Sequence, residues 1–422
     1  MHSMSHQATF KLGLCLVLSF VAPVLFDSST LAAVFVIEPD GSGDYATIQE
    51  GVDAAVDGDV IQLGYGDFSG AGNHDVDFHG KDIVVESASG SAPAVTLVVE
   101  SGHRAFLFQS GESAAAVLRN VTIVGGDPGT DGGGVYVTGA SPTLDGCVFR
   151  DCRVSSFDRG GGLFVADGAP TVTGCLFEAN LGGVQGSGSA AAVVDGTGVV
   201  FRDNLFVGNS VSEGAGTLRV IGGEVRVERC GFLGNRAWGG AGIFATGSDL
   251  TITDSWFTGN ESEQAGGAAI RIRGGIFTIE GCTVASNRAV ASAEAAGLDA
   301  GSGAVGGVIT TLFHENCTDA ATVNVAAEAG TSVFLECSAF LPGTVAGDIE
   351  LVGDQVNADP ELCAPRPCGD APSEDGDYEL SSSSPCLAAQ SPCGDRIGAF
   401  GEGCDVVPVL GRTWGGIKAA FR

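Results

Sequence analysis

Two histidines and two aspartates share one short stretch, Asn73-His74-Asp75-Val76-Asp77-Phe78-His79. Imidazole and carboxylate together form the donor set of zinc and related ions. In a strand, however, alternation puts His74 and Val76 on one face and Asp75, Asp77 and His79 on the other. The stretch therefore reads as a short outward polar face, and no metal is assigned to it. The turns 40–44 and 127–131, each opened and closed by Asp, offer oxygen ligands to Ca²⁺ but lack the spaced ligands of an EF-hand loop. Ca²⁺ is the one cofactor left open. His103 and His314 stand isolated in the sequence. No Ser-His-Asp set, phosphate loop or C-x-x-C metal spacing stands out, so no catalytic residue is assigned.

A second group of chemically capable residues lies in a series of loops: Arg153, Arg159, Arg236, Trp238, Glu261, Glu263 and Arg288. Trp238 can stack on a sugar ring, and Arg236 beside it can hold a carboxylate through two parallel N–H groups. These residues are the candidate ligand-binding set because the loops recur in register along a repeat.

The repeat is explicit. Cys147-Val-Phe149-Arg-Asp-Cys152 is followed by Cys175-Leu-Phe177-Glu-Ala-Asn180 and Asn204-Leu-Phe206-Val-Gly-Asn209. Further copies contain Phe232 with Asn235, Phe257 with Asn260, Val284 with Asn287 and Phe313 with Asn316, and Ile123 anchors an earlier one. The anchors lie 26, 28, 29, 26, 25, 27 and 29 residues apart, a solenoid period. Fourteen residues before each anchor stands an apolar row, Val135, Leu163, Ala192, Leu218, Ile243 and Ile270. Three before that stands a small row, Gly132, Gly160, Ser189, Ala215, Gly240 and Gly267, so that all length variation is expected after the Asn. Period-two runs such as Val135-Tyr-Val137 and Ile270-Arg-Ile272 predict about three short strands per coil. Coils of this kind bury their inner faces by stacking. That stacking predicts a structural ladder of Phe149, Phe177, Phe206, Phe232, Phe257 and Phe313. It predicts another of Asn180, Asn209, Asn235, Asn260, Asn287 and Asn316, whose amides suit tight corners. Cys147, Cys175, Cys230 and Cys282 share one inward position, where a small buried side chain is expected, with a Cys147–Cys175 bridge left open.

These patterns predict an all-β right-handed parallel β-helix with a short N-terminal capping helix. Residues 1–33 read as a signal peptide, with Lys11 before an apolar run and cleavage near Ala33. Residues 34–70 form the cap, in which Thr47 and Glu50 make a capping box. Residues 71–352 are coils, 353–407 a Cys-rich closing segment, and 408–422 a basic, aromatic tail. The five cysteines of the closing segment require a sixth partner or leave one free, and Cys337 is the suggested sixth. A secreted or surface location is expected, with no transmembrane segment in the mature chain. Formal charge is −31, with only 20 Lys and Arg among 422 residues, which excludes nucleic acid as a partner.

Asp40-Gly-Ser-Gly-Asp-Tyr-Ala-Thr-Ile-Gln49, followed by Gly58-Asp-Val-Ile and Gly64-Tyr-Gly-Asp-Phe68, resembles the opening of pectin-lyase-like β-helix proteins, pectin methylesterases included. The coils resemble the right-handed β-helix repeat family of secreted bacterial proteins. The catalytic motifs of those enzymes do not carry over; Arg271-Ile-Arg273 alone resembles the Arg-Ile-Lys segment of polygalacturonases. The expected function is therefore a secreted scaffold that contacts an extracellular polysaccharide or cell-surface component. A polysaccharide lyase or hydrolase working in the groove of the helix is the rival.

Overall fold

The computed structural model describes residues 32–290 and 294–404; the expected signal peptide and the tail 408–422 lie outside that range, save for Ala32 and Ala33. Between Val34 and Val352 the described residues form a right-handed parallel solenoid of about 11 turns. A typical coil contributes three short strands, for example Val135–Thr138, Thr143–Asp145 and Val148–Arg150, while Ile243–Thr253 and Ile270–Glu280 each run the first two together. The first two kinds of strand merge into one 22-stranded sheet, the third builds a 10-stranded sheet, and short corner strands add a 6-stranded one. The helix Ile48–Ala54 begins at Thr47, whose hydroxyl accepts from the Glu50 N–H, while the Glu50 carboxylate accepts from Ala46 N–H. Lys81 donates to the carbonyls of Val52 and Asp53 near the helix C-terminus.

The core is built by translation. Phe149, Phe177, Phe206, Phe232 and Phe257 pair in register through successive strands. Their ring centroids are 4.6, 4.8, 4.5 and 4.7 Å apart and their planes lie within 7° of parallel. That spacing matches the distance between neighbouring strands, so the backbone ladder and the aromatic stack share one repeat. Ile123, Val284 and Phe313 continue the row.

The asparagine row closes one corner. Each buried Asn gives its amide N–H to the anchor carbonyl of the preceding coil and to the next Asn oxygen, as Asn209 does to Phe177 O at 2.9 Å and Asn235 Oδ1 at 3.0 Å. The same oxygen takes the Asn209 backbone N–H at 2.9 Å. Asn324, outside the repeat phrase, ends the series by accepting from Asn316 and donating to Thr344. The cysteine position carries a second polar ladder, in which the next coil's side chain accepts the backbone N–H: Cys147 N to Cys175 Sγ, Cys175 N to Asn204 Oδ1, Cys230 N to Ser255 Oγ. Cys147 and Cys175 are therefore stacked thiols and not a bridge. Burial pushes Cys230 and Cys282 up to about 12, far from thiolate reactivity.

Three expectations need correction. Ala191, not Ala192, pairs with Leu163 and Leu218, and Ala192 takes the outward place between Phe164 and Arg219. The extra residue of this coil is absorbed downstream, where the register shifts between Thr197 and Val199, so length varies within the strands as well as after the Asn. The small row runs through Gly188 and Gly216, not Ser189 and Ala215; with Gly132, Gly160, Gly240 and Gly267 these are left-handed at φ of 62–77°, where glycine avoids the Cβ penalty.

The closing segment folds back along the coils. Cys337–Cys393, Cys317–Cys368 and Cys363–Cys404 bridge it, and Cys386 stays free and buried. Phe400 rests on Trp256, and Ser373 N–H donates to Gly259 O.

Two measurements check this architecture. Asn235→Ala strips two buried Asn209 donors of their acceptor and the Phe206 carbonyl of its donor, and should lower unfolding stability by about 3 kcal/mol. A loss under about 0.5 kcal/mol, the range of an ordinary surface change, would show that the ladder does not hold the corner. Reducing the disulfides should open residues 353–404 to proteolysis while the circular dichroism of the coils persists; loss of the whole β signal would show that the bridges hold the solenoid itself.

Candidate functional site

Outward side chains on the first strand of each coil form a row that repeats like the inward ones. Register places Leu107, Tyr136, Phe164, Ala192, Arg219, Phe244, Arg271 and Asp299 in succession. Arginines lie over the aromatic members: Arg104 over Tyr136 and Arg159 over Phe164, each at 4.9 Å, and Arg219 over Phe244 at 4.1 Å. Cation–π contact holds each guanidinium over its ring.

The loops expected to bind ligand rise beside this row, and between them lies a cleft of about 250 Å³. Arg219, Phe244 and Arg271 form its floor, and Trp238, Gln185 and Glu213 line its loop side. Its size is below the roughly 300–1,000 Å³ of sites that engulf a small molecule, and suits one unit of an extended chain. Trp238 is 42% exposed and Phe157 71% exposed. Phe157, Gln185 and Glu213 are equivalent loop-tip residues, all left-handed at φ of 70°, 58° and 56°. For an aromatic residue that conformation costs on the order of 1–3 kcal/mol, and here it carries a ring into solvent.

The predicted residues do not come together as one site. Trp238 is on the cleft. Arg236, Glu261, Glu263 and Arg288 come together instead as an ion-pair chain. Arg236 Nε lies 3.2 Å from Glu261 and 2.8 Å from Glu263, and Arg288 contacts Glu261 at 3.6 Å and Asp319 at 2.9 Å. Burial raises the Glu261 carboxyl above the usual carboxylate range, against the pull of Arg236 and Arg288. Arg236 thus spends its fork on its own chain. Arg159 likewise pairs with Asp131 at 2.7 Å. Arg153 is exposed, beside Leu181 of the next coil.

Arg219 takes the place proposed for Arg236. Its Nη1 donates to the carbonyls of Val220 and Phe244 and to Thr246 Oγ1 at 2.8–3.0 Å. No carboxylate of the described residues pairs with it. Burial lowers it to about 10, which leaves it cationic at neutral pH. Arg271 Nε, on the same floor, is buried and makes no hydrogen bond. Arg271 and Arg273 converge on Asp299, at 3.3 and 2.6 Å, with Glu294 and Glu328 at the rim. Burial pushes the Asp299 carboxyl up to about 6. It is only 1% exposed, so it organises the two arginines and is closed to a ligand.

Sequence reasoning missed Arg219, Phe244 and Arg271 as a set. The signal was the middle residue of each alternating run, read from coil to coil. The acidic turns behave as structural corners: Asp40 and Asp44 accept backbone N–H groups, and Asp127 and Asp131 are taken by Ser155 and Arg159. The histidine stretch also differs from its reading. Asp75 is left-handed at φ 51°, which breaks the alternation and brings His74, Asp75 and His103 together, whereas His79 turns to Asp53 and Asp77 at 3.5 Å.

The right-handed β-helix region family matches residues 97–257 and 133–318, together more than half of the chain. The protein belongs to that family. Solved structures with a similar course include pectate lyase Pel9A, at 14% identity over 89% of this chain and 97% of that one, TM-score 0.44. A rhamnogalacturonan lyase has 12% identity over 87% and 100% of the two chains, TM-score 0.45. The catalytic unit of an α-1,3-glucanase from Streptomyces thermodiastaticus strain HF3-3 has 14% identity over 74% and 66%, TM-score 0.22. Nothing about activity follows from likenesses this loose. No curated protein sequence matches the chain. No helix among the described residues is long and apolar enough to cross a membrane.

Asp299→Ala should cost about 3 kcal/mol, because it leaves two half-buried guanidiniums short of their shared carboxylate. Asp299→Asn, which keeps an acceptor, should cost less. Equal unfolding midpoints for all three proteins would show that Asp299 does not organise the floor.

Proposed function

We propose that this protein is an extracellular β-helical scaffold that binds an acidic polysaccharide along the corner between the first sheet and the loops. One observation supports this above the others: Arg219, a half-buried guanidinium in a chain of net charge −31, pairs with no carboxylate of the described residues and faces a cleft edged by Trp238. Leaving such a cation unpaired is costly unless a ligand completes it. A uronate unit offers a carboxylate for the fork and an apolar ring face for the indole. The ladder of coils repeats about every 4.8 Å, so neighbouring aromatic and arginine positions can follow one extended glycan. The three disulfides and the apolar N-terminal run support secretion.

Scaffold is favoured over enzyme because the lining of the cleft holds a single carboxyl group, Glu213, exposed at a loop tip with no second acid beside it to form an acid–base pair. The test is calorimetry of the full chain with polygalacturonate oligomers and with neutral glycans, with and without Ca²⁺, alongside assays for new reducing or unsaturated ends. Binding of the acidic oligomers alone, weakened at least tenfold in Arg219→Ala and partly kept in Arg219→Lys, is the expected result. Equal affinity for neutral glycans, or indifference to both substitutions, would refute the reading. Product release would replace the scaffold with a lyase or hydrolase.

A further inference from the structure

We infer that His74, Asp75 and His103 form a binding site for one zinc-like divalent cation, separate from the cleft. The residues come from two successive coils: backbone bonds tie Asp75 to Arg104 and Val76 to Ala105. His103 Nδ1 lies 2.5 Å and His74 Nδ1 3.0 Å from the same oxygen, Asp75 Oδ2. All three donor atoms sit within 4.8 Å of one another. Two imidazoles and a carboxylate are a nitrogen–oxygen set that suits zinc or another late transition ion and not Ca²⁺.

The surroundings orient these donors. Asp75 Oδ1 accepts the Arg104 backbone N–H at 3.1 Å, which leaves Oδ2 to face the imidazoles. The Arg104 guanidinium is directed elsewhere, to Asp131 O and Thr130 Oγ1 and over Tyr136. Glu100 lies 3.8 Å from His74 Nε2, the nitrogen opposite the cluster. A carboxylate there favours the tautomer whose Nδ1 lone pair is free for a metal. The rings are tilted by 32° at a centroid distance of 3.8 Å, so both nitrogens reach one point from the same side. With bonds of about 2.0–2.1 Å, a tetrahedral ion separates its ligand atoms by about 3.3 Å. The contacts at Oδ2 open by under about 1 Å to admit it. His103 and Asp75 side chains are 39% and 38% exposed, which gives the ion an entry path and leaves a fourth position for water.

Without an ion, two imidazoles must each turn a proton toward one carboxylate oxygen. With an ion, one charge satisfies all three groups and clamps the two coils next to the N-terminal helix. The site is legible only in three dimensions, since His103 is 28 residues from Asp75.

The test is titration of the full chain, carrying no histidine tag, with Zn²⁺ alone by calorimetry and with Co²⁺ by visible absorption. Asp75→Asn keeps the left-handed corner and the acceptor for Arg104. His103→Ala removes a half-exposed ring, and His79→Ala alters a nearby histidine outside the cluster. One equivalent of Zn²⁺ is expected, with a low-coordinate Co²⁺ spectrum. Affinity should fall at least tenfold in Asp75→Asn and His103→Ala and stay unchanged in His79→Ala. Identical titrations for all four proteins, or displacement by excess Ca²⁺, would overturn the proposal, because either places the ion elsewhere on the acidic surface. Thermal melts show that each variant is folded, and a Zn²⁺-dependent rise in midpoint should follow the same order.

Discussion

The structure depends on identical side chains lying one strand spacing apart. A parallel ladder repeats at about 4.8 Å, and flat rings and planar amides fill this interval by lying on their own copies in the next coil. Phe177 and Phe206 meet at 4.8 Å and Asn209 reaches Asn235 at 3.0 Å, so dispersion contact and hydrogen bonding both peak at the spacing that the backbone imposes. No coil satisfies this alone. The ends must therefore differ from the middle: a short helix at one end, a disulfide-bridged segment toward the other, and Asn324 with Thr344 where the amide series stops.

The same translation that builds the core also builds the surface. Outward positions repeat in register, so one arginine or aromatic per coil becomes a row. The acidic chain neutralises most of its arginines locally: Arg159, Arg202, Arg229, Arg236 and Arg288 each have a carboxylate within 3.3 Å. Against that pattern Arg104 and Arg219 bond to carbonyls and a hydroxyl only, and of the two Arg219 lines the cleft. The loop side adds exposed rings at Trp238 and Phe157. A cationic floor beside an aromatic edge is a local inversion of the protein's net charge.

Much of the scaffold was legible in the sequence because a core ladder forces residue type at fixed intervals. Phe, Asn and the inward Cys row announce themselves through period alone. The coil of Ala191 was misread by one residue because the run Ala190-Ala191-Ala192 carries no signal about which points inward, and the bulge at Thr197–Val199 leaves no mark but a longer interval. The candidate site was only half legible. Trp238 was visible as an unusual residue in a variable loop. Arg219 was hidden by being an ordinary outward residue of a strand, and what marks it, a place on the cleft with no carboxylate of the described residues paired to it, is set by the coils on either side. The reverse holds for Arg236 and Arg288, prominent in sequence and spent on Glu261. The His74–His103 pair failed for a third reason: a left-handed Asp75 overrides strand alternation.

The most direct measurement is a crystal structure of the protein soaked with an oligogalacturonate. The account predicts a uronate carboxylate held by the free edge of the Arg219 guanidinium, with a sugar ring against Trp238 and the chain running along the coil axis. An oligosaccharide bound on another face, with Arg219 untouched, would contradict it.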